Sequence, residues 1–447
     1  MTDTICAICT ALGTGAISII RVSGEDSLSI VSKIFSKDLT KLADHTINYG
    51  FIKYENEIID EVLIAIMKGP KSYTCEDVVE INCHGGIATT NKILEILLAE
   101  GCRLATPGEF TKRAYLNGRL NLSQAQAVND LLTAKSDAAR KVFMNGLQGV
   151  LTKKIREIRQ VLVDLISNIE VNIDFPEYED NLVITNEILE KHLTNLKEEF
   201  TSLLEDAKTT NLVKEGINVC LVGKPNSGKS SLLNALLNEE KAIVSNIEGT
   251  TRDIIEGSIN LNGISLNIID TAGIRETENE IEKIGVEKSK KAIDMADLII
   301  IVIDKSKGIT SEDQELIDKV PEEKRIIFMN KDDLEGASLP SEYKVIIGNT
   351  QNIEGIRGLK QEIINMFNLD QINAKDVTYL NNINQINVIK KCLNLTLNAL
   401  TNLENNAFVD MIEIDIRTIW ELLGELIGEQ YDEELLDNLF KNFCLGK

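Results

Sequence analysis

Eight residues, GKPNSGKS from Gly223 to Ser230, join an apolar stretch, INVCLV, to a run with helical spacing, SSLLNALLN. A strand that turns at once into a helix points successive backbone N–H groups, and the positive end of the helix dipole, at a phosphate chain. Gly223 and Gly228 permit the turn, Lys229 reaches the β- and γ-phosphates and the Ser230 hydroxyl ligates magnesium, with Asn226, Ser227 and Ser231 completing the loop. DTAG (Asp270, Thr271, Ala272, Gly273) follows the apolar run SLNIID. There Asp270 can hold the metal through water, and the Gly273 amide can sense the γ-phosphate. NKDD, with Asn330, Lys331 and Asp333, selects the base: a carboxylate accepts from the N1–H and exocyclic amine of guanine, a donor pair that adenine lacks. GTTRD supplies Gly249, Thr250 and Thr251, the last a switch threonine that closes on magnesium. The nucleotide is therefore expected to be GTP. In IGNTQN, around Asn349 and Thr350, the backbone amide that would meet the guanine oxygen lies in a stretch without the usual Ser-Ala. After DTAG stands Ile274, whose side chain cannot polarise water. Glu282 is a candidate for that task, and equally a solvated glutamate at a helix start.

The elements that must hold these residues are legible from periodicity. Between Ile217 and about Asp370 apolar strands (INVCLV, SLNIID, LIIIVID, RIIFMN, KVIIG) alternate with helical stretches, the pattern of a parallel sheet covered by helices. Residues 1 to about 118 mix short β-like runs with turns: AISIIRV, FIKY and EVLIAIM around a polar ENE, and VVEINC closed by HGG. Apolar spacing of three and four then predicts one helix through Val150, Leu151, Ile155, Ile158, Leu162, Leu165 and Ile169. DFPEYED breaks it, and a second helix carries Ile188, Leu189, Leu193, Leu196, Phe200, Leu203 and Leu204. Helical periodicity returns in Ile383, Ile386, Ile389, Leu393 and Leu400, and again from Ile416 through Trp420 and Leu423. The expected architecture is multidomain α+β: an amino-terminal α+β domain over 1–118, an all-α domain in two pieces, 119–215 and 373–447, and an inserted Ras-like α/β phosphate-loop domain over 216–372.

Composition sets limits. A chain of 447 residues exceeds one hydrophobic core, and no apolar run reaches the roughly 20 residues of a membrane span. The start has no export pattern, which places the chain in the cytoplasm. Eight scattered cysteines then read as free thiols, with the Cys6 and Cys9 pair as packed small side chains. A formal charge of −23 repels phosphate backbones over the surface as a whole, so composition by itself argues against nucleic-acid binding by this chain.

These motifs in this order, with IIRVSG, GPKSYTCEDVVEINCHGG, TPGEFTKRAYLNGRLNLSQAQAVNDL, DFPEYED and the terminal FCLGK, resemble the bacterial tRNA-modifying GTPase family MnmE, also called TrmE, over essentially the whole chain. The resemblance implies an amino-terminal domain that binds 5-formyltetrahydrofolate or methylene-tetrahydrofolate, at Arg21, Glu80, Arg119 and Lys447, and that forms a homodimer. It implies a GTPase activated by potassium, held by Asn226 and a switch segment of Ser245, Asn246, Ile247, Glu248, Gly249 and Thr250, with Ser245, Ile247 and Thr250 around the ion. A fixed cation beside the β- and γ-phosphates can do what an arginine finger does. Glu282 falls on the family's catalytic glutamate, and Cys444 is a candidate for the carbon chemistry. The implied partner is an FAD-binding subunit in a heterotetramer, and the implied product is an aminomethyl or carboxymethylaminomethyl group on C5 of a tRNA wobble uridine. Two other readings compete: a GTP switch for assembly whose flanks only dock, and a folate sensor without chemistry of its own. His84, in CHGG, reads as a turn residue more than as a general base.

Overall fold

The computed structural model describes residues 3–174, 186–239, 255–269, 295–334, 343–351, 354–369, 377–405, 407–427 and 446. These fall into two compact units, one of residues 1–132, 147–197 and 387–447, the other of residues 133–146 and 198–386.

The first unit holds a six-stranded sheet in the order β3-β4-β5-β2-β1-β6. Its strands are β1 (Ile5–Ile8), β2 (Ile17–Ser23), β3 (Thr46–Tyr54), β4 (Glu57–Met67), β5 (Val78–His84) and the short β6 (Arg103–Leu104). Of the ENE segment expected between two strands, Glu57 already belongs to β4, and the β3–β4 connection is only Glu55 and Asn56, both at positive φ, 46° and 69°. Two such residues close a tight hairpin whose twist matches its strands, which lets β4 run to eleven residues. Alternation sorts the side chains of β2 and β5. Ile20, Val22, Val79 and Ile81 enter a core with Val31 and Ile34 of α1 (Ser27–Ile34) and Ile93 and Leu97 of α2 (Ile87–Ala99). Arg21 and Glu80, directly opposite each other in register, therefore share the other face. At its β1 end that face carries a small second core of Ile5, Ala7, Ala105 and Phe110, the last on α3 (Glu109–Leu116).

After α4 (Leu122–Leu132) and α5 (Asp137–Leu147) come the two long expected helices, α6 (Val150–Asp174) and α7 (Asn186–Glu215). In α6 the side chains of Leu151, Ile155, Ile158, Leu162, Leu165 and Ile169 are buried, and in α7 those of Leu189, Leu193, Leu196, Phe200 and Leu203. Helix α6 packs against the helix Val409–Leu426, where Arg159 lies over the Trp420 ring at 4.5 Å. The helix Ile383–Glu404 departs from the expected stripe. Ile383 is exposed, and the buried row runs Ile389, Cys392, Thr396, Ala399 and Leu403. Thr396 enters it at no polar cost because its hydroxyl donates to the Cys392 carbonyl one turn back, at 2.8 Å.

In the second unit the sheet order is β12-β11-β10-β7-β9-β8, with β7 (Ile217–Val222), β8 (Ile255–Leu261), β9 (Ile264–Ile269), β10 (Leu298–Asp304), β11 (Arg325–Asn330) and β12 (Val345–Ile347). All pairings are parallel except the β8–β9 hairpin. Every residue of β10 is buried, as a central parallel strand requires. The five apolar runs became strands. Strand β8, IEGSINL, was not foreseen: as an antiparallel edge carrying Gly, Ser and Asn it lacks the apolar continuity that marks its neighbours.

Candidate functional site

The phosphate loop leaves β7 and enters α8 (Lys229–Glu239). Gly223 has φ +148°, and a Cβ there would sit 2.3 Å from the Val302 carbonyl oxygen; Gly228 has φ +99°, and a Cβ there would meet the Asn330 side-chain amide at 2.0 Å. Both positions need glycine for backbone and space alike. Lys229 Nζ donates to the carbonyls of Gly223 and Lys224, at 2.7 and 2.8 Å, so the ammonium lies over the loop it would share with a phosphate. Ser230 and Ser231 are exposed at the helix start, and the Ser227 hydroxyl is buried without a hydrogen-bond partner among the described residues.

The guanine motif is tied to this loop. Asn330 Nδ2 donates to the Ser227 carbonyl at 3.0 Å, while its Oδ1 is buried without a partner among the described residues. Lys331, at φ +66°, donates to the Asn226 carbonyl at 2.9 Å and to Asp304 Oδ2 at 2.6 Å. Burial pushes the Asp304 carboxyl up, but Lys331 and the Ser306 hydroxyl outweigh it and hold it below the ordinary range. The stretch after β12 closes the same end of the sheet: Gly348 accepts from the Asp332 amide at 3.1 Å, and the Asn349 carboxamide oxygen accepts from the Gln351 amide at 3.2 Å. Two orphaned buried polar groups, a glycine cradle and an inward lysine fit a nucleotide phosphate chain, with Ser230 free to take magnesium. Ser245 to Thr251, Asp270 to Gly273 and Glu282 lie outside the described residues, as do Cys444 and Lys447.

The first unit carries a separate constellation. Arg21 Nε and Nη2 donate to Glu80 Oε1 at 2.9 and 2.8 Å, whereas Arg21 Nη1 is buried and unpartnered among the described residues. Arg119 is exposed and donates from Nη1 to the Tyr73 carbonyl at 3.0 Å. Two residues named from sequence, Arg21 and Arg119, thus meet over one that was not, Tyr73, within the quoted segment GPKSYTCEDVVE. An unspent guanidinium N–H beside an exposed arginine fits an acceptor-rich, anionic ligand such as a folate.

An ion cluster on the same β2 and α3 scaffold also went unforeseen. Arg113, 1% exposed, pairs with Asp3 at 2.9 Å and with Glu76 and Glu109 at 3.1 Å. Burial pushes the Glu109 carboxyl up, yet Arg103, the Thr106 amide and Arg113 overcome this and bring it to about 2. Cys6 is packed in the main core, and Cys9 Sγ donates to the Gly446 carbonyl at 3.1 Å. His84 ends β5 and is exposed; Asp60 accepts from its ring Nδ1 at 2.7 Å and raises its pKa.

A family model described as "GTP-binding protein TrmE N-terminus" matches residues 4–119, and "MnmE helical domain" matches residues 122–444. Proteins named tRNA modification GTPase MnmE from Bacillus cytotoxicus and Bacillus thuringiensis are each 46% identical, over 100% of this chain and 99% of theirs. Among solved structures, Aquifex aeolicus Era bound to GDP and AlF4⁻ aligns with 34% of this chain and 56% of its own at 27% identity, with a TM-score of 0.26, too low to bear on the fold. No described helix is long and apolar enough to cross a membrane.

Proposed function

We propose, for a chain that belongs to the tRNA modification GTPase MnmE family, a potassium-activated GTPase subunit that works with an FAD-binding partner and a folate one-carbon donor. Together they add an aminomethyl or carboxymethylaminomethyl group to C5 of the wobble uridine of certain tRNAs in the cytoplasm. The observation that carries the one-carbon part is Arg21, paired to Glu80 on one edge and left with a buried, unspent donor on the other. A dock for a signalling GTPase has no need of that arrangement. Gly446 supports a place for the terminal FCLGK segment beside this site, since it lies against Ile8 and accepts from Cys9. On that reading Lys447 joins Arg21, Glu80 and Arg119 in binding the folate, and Cys444 is assigned to the carbon chemistry.

In the nucleotide unit Lys229 and the loop amides neutralise phosphate charge, Ser230 and Thr251 hold magnesium, and Asp333 selects guanine. Potassium, when bound, supplies a fixed positive charge beside the developing transition state. We assign Asn226, exposed at φ +63° in the loop, as one of its ligands, with Ser245, Ile247 and Thr250 as the others. Glu282 orients the attacking water, a task that Ile274 after DTAG cannot perform. We keep the boundaries 1–118, 119–215, 216–372 and 373–447. Homodimerisation is assigned to the amino-terminal domain, and the exposed Ile47, Tyr49 and Leu63 on the far end of its sheet support an apolar partner surface there.

The test is wobble-uridine profiling of tRNA in a deletion strain, alongside binding of 5-formyltetrahydrofolate to the purified chain. Loss of the C5 modification with folate bound is expected. Unchanged wobble uridines in the deletion strain would leave only the switch or sensor readings.

A further inference from the structure

We propose that Tyr73 is a positioning residue of the amino-terminal site, holding both ligand-facing arginines in place before the ligand arrives; this rests on the folate reading above. The guanidinium carbons of Arg21 and Arg119 lie 5.0 and 4.7 Å from the centroid of the Tyr73 ring. Two cations held over one aromatic ring are each attracted to its electron-rich face, and guanidinium, planar and weakly hydrated, gains most from such contact. Arg119 is gripped a second time, because its Nη1 donates to the Tyr73 carbonyl at 3.0 Å. Arg21 has a further support in Phe110, fully buried, 5.5 Å from its guanidinium.

Tyr73 can position others because it is itself fixed. Its hydroxyl shares a hydrogen bond of 2.9 Å with Thr111, which is fully buried. The next residue, Thr74, shares a bond of 2.7 Å with Ser23, and its carbonyl accepts from Asn117 at 2.6 Å. Two residues further on, Glu76 accepts from Arg113 and from the Ser23 hydroxyl. The ring therefore stands on a loop bound to β2 and α3. A long, exposed side chain such as Arg119 ordinarily gives up rotamer freedom when it grips a ligand, and ordering it beforehand removes that cost from binding. With Arg21 Nε and Nη2 committed to Glu80, the orientation of the plane that Tyr73 supports decides where the unspent Nη1 can donate.

The experiment measures binding of 5-formyltetrahydrofolate to the full chain by calorimetry, with GTP-analogue binding as a check on integrity. Tyr73→Leu is expected to weaken folate binding about tenfold, and Tyr73→Phe to stay within about threefold, because the ring contact remains. Pentafluorophenylalanine at position 73 keeps the shape of phenylalanine and reverses its ring charge, so it should behave like leucine. That pair decides the matter even if Tyr73→Leu fails to fold. In a double-mutant cycle, Tyr73→Leu with Arg119→Gln should cost little more than the worse single change. Parental affinity with leucine or the fluorinated ring, or fully additive losses, overturns the role of Tyr73 while Arg21→Ala still abolishes binding and upholds the folate reading. Absence of folate binding by the unaltered chain overturns that reading and the role of Tyr73 with it.

Discussion

The two sites of this molecule are built from different materials. The phosphate-binding part of the nucleotide site is mostly backbone from one short contiguous run: the turn at Gly223 to Gly228, the start of α8, and a lysine folded over its own loop. The amino-terminal site is side chain from four separate places, Arg21 on β2, Glu80 on β5, Tyr73 on the loop between β4 and β5, and Arg119 beyond α3. A site made of main-chain amides depends on local geometry and tolerates change around it. One made of scattered side chains depends on whatever fixes the scaffold, here the Arg113 cluster.

That contrast can be broken at its strongest point. Arg113→Ala would remove the buried cation shared by half-buried Glu76 and buried Glu109, with Arg103 still pairing with Glu109 and with exposed Asp3, and should cost about 3 kcal/mol, the low end for breaking a buried pair. Denaturant unfolding followed by folate affinity should show both falling together, while GTP binding below the transition is retained. Equal loss of GTP binding would mean the two sites do not stand on separate supports.

Within the nucleotide unit, Glu282→Ala should lower the hydrolysis rate by about two orders of magnitude, the scale of losing a water-orienting group, with little change in nucleotide affinity. Asn226→Ala should remove the difference between potassium and sodium buffers in the same assay. An active Glu282→Ala protein, or equal turnover of the parent in both salts, sinks the corresponding half of the mechanism. A smaller effect is expected for Asp333→Asn, which should weaken GTP by at least about tenfold and favour xanthosine triphosphate, because the amide donates where the carboxylate accepted. Competition binding with the two nucleotides reads this directly.

Acid should give the mildest separation. Glu109 has its pKa brought from an ordinary 4.5 to about 2 in the folded chain, so the unfolded chain takes up its proton first. The stability it contributes is complete above about pH 4.5 and is lost as pH falls from there toward 2. Glu109→Gln should flatten the fall in unfolding free energy over that window, and an unchanged slope would assign the acid sensitivity elsewhere.

What the sequence determined by itself was whatever is encoded within a few residues. The phosphate loop, the guanine motif and the five apolar strands all follow from spacing, because a turn, a cap or an alternation is decided by neighbours in the chain. The long helices were legible for the same reason, although in α6 the expected Val150 is only half-buried and Ile166, outside the expected stripe, is buried. Hairpin closure at Glu55 and Asn56, the edge strand β8 and the shifted buried row through Cys392 and Thr396 were not. Each depends on what packs opposite, and polar residues can take part once a distant or preceding carbonyl satisfies them. Arg21, Glu80 and Arg119 could be named only through family resemblance. The tertiary structure alone put the Tyr73 ring under two of them and the Arg113 cluster on the same scaffold, since residues 21, 73, 80, 113 and 119 become neighbours only when β2 pairs with β5 and α3 covers the same face.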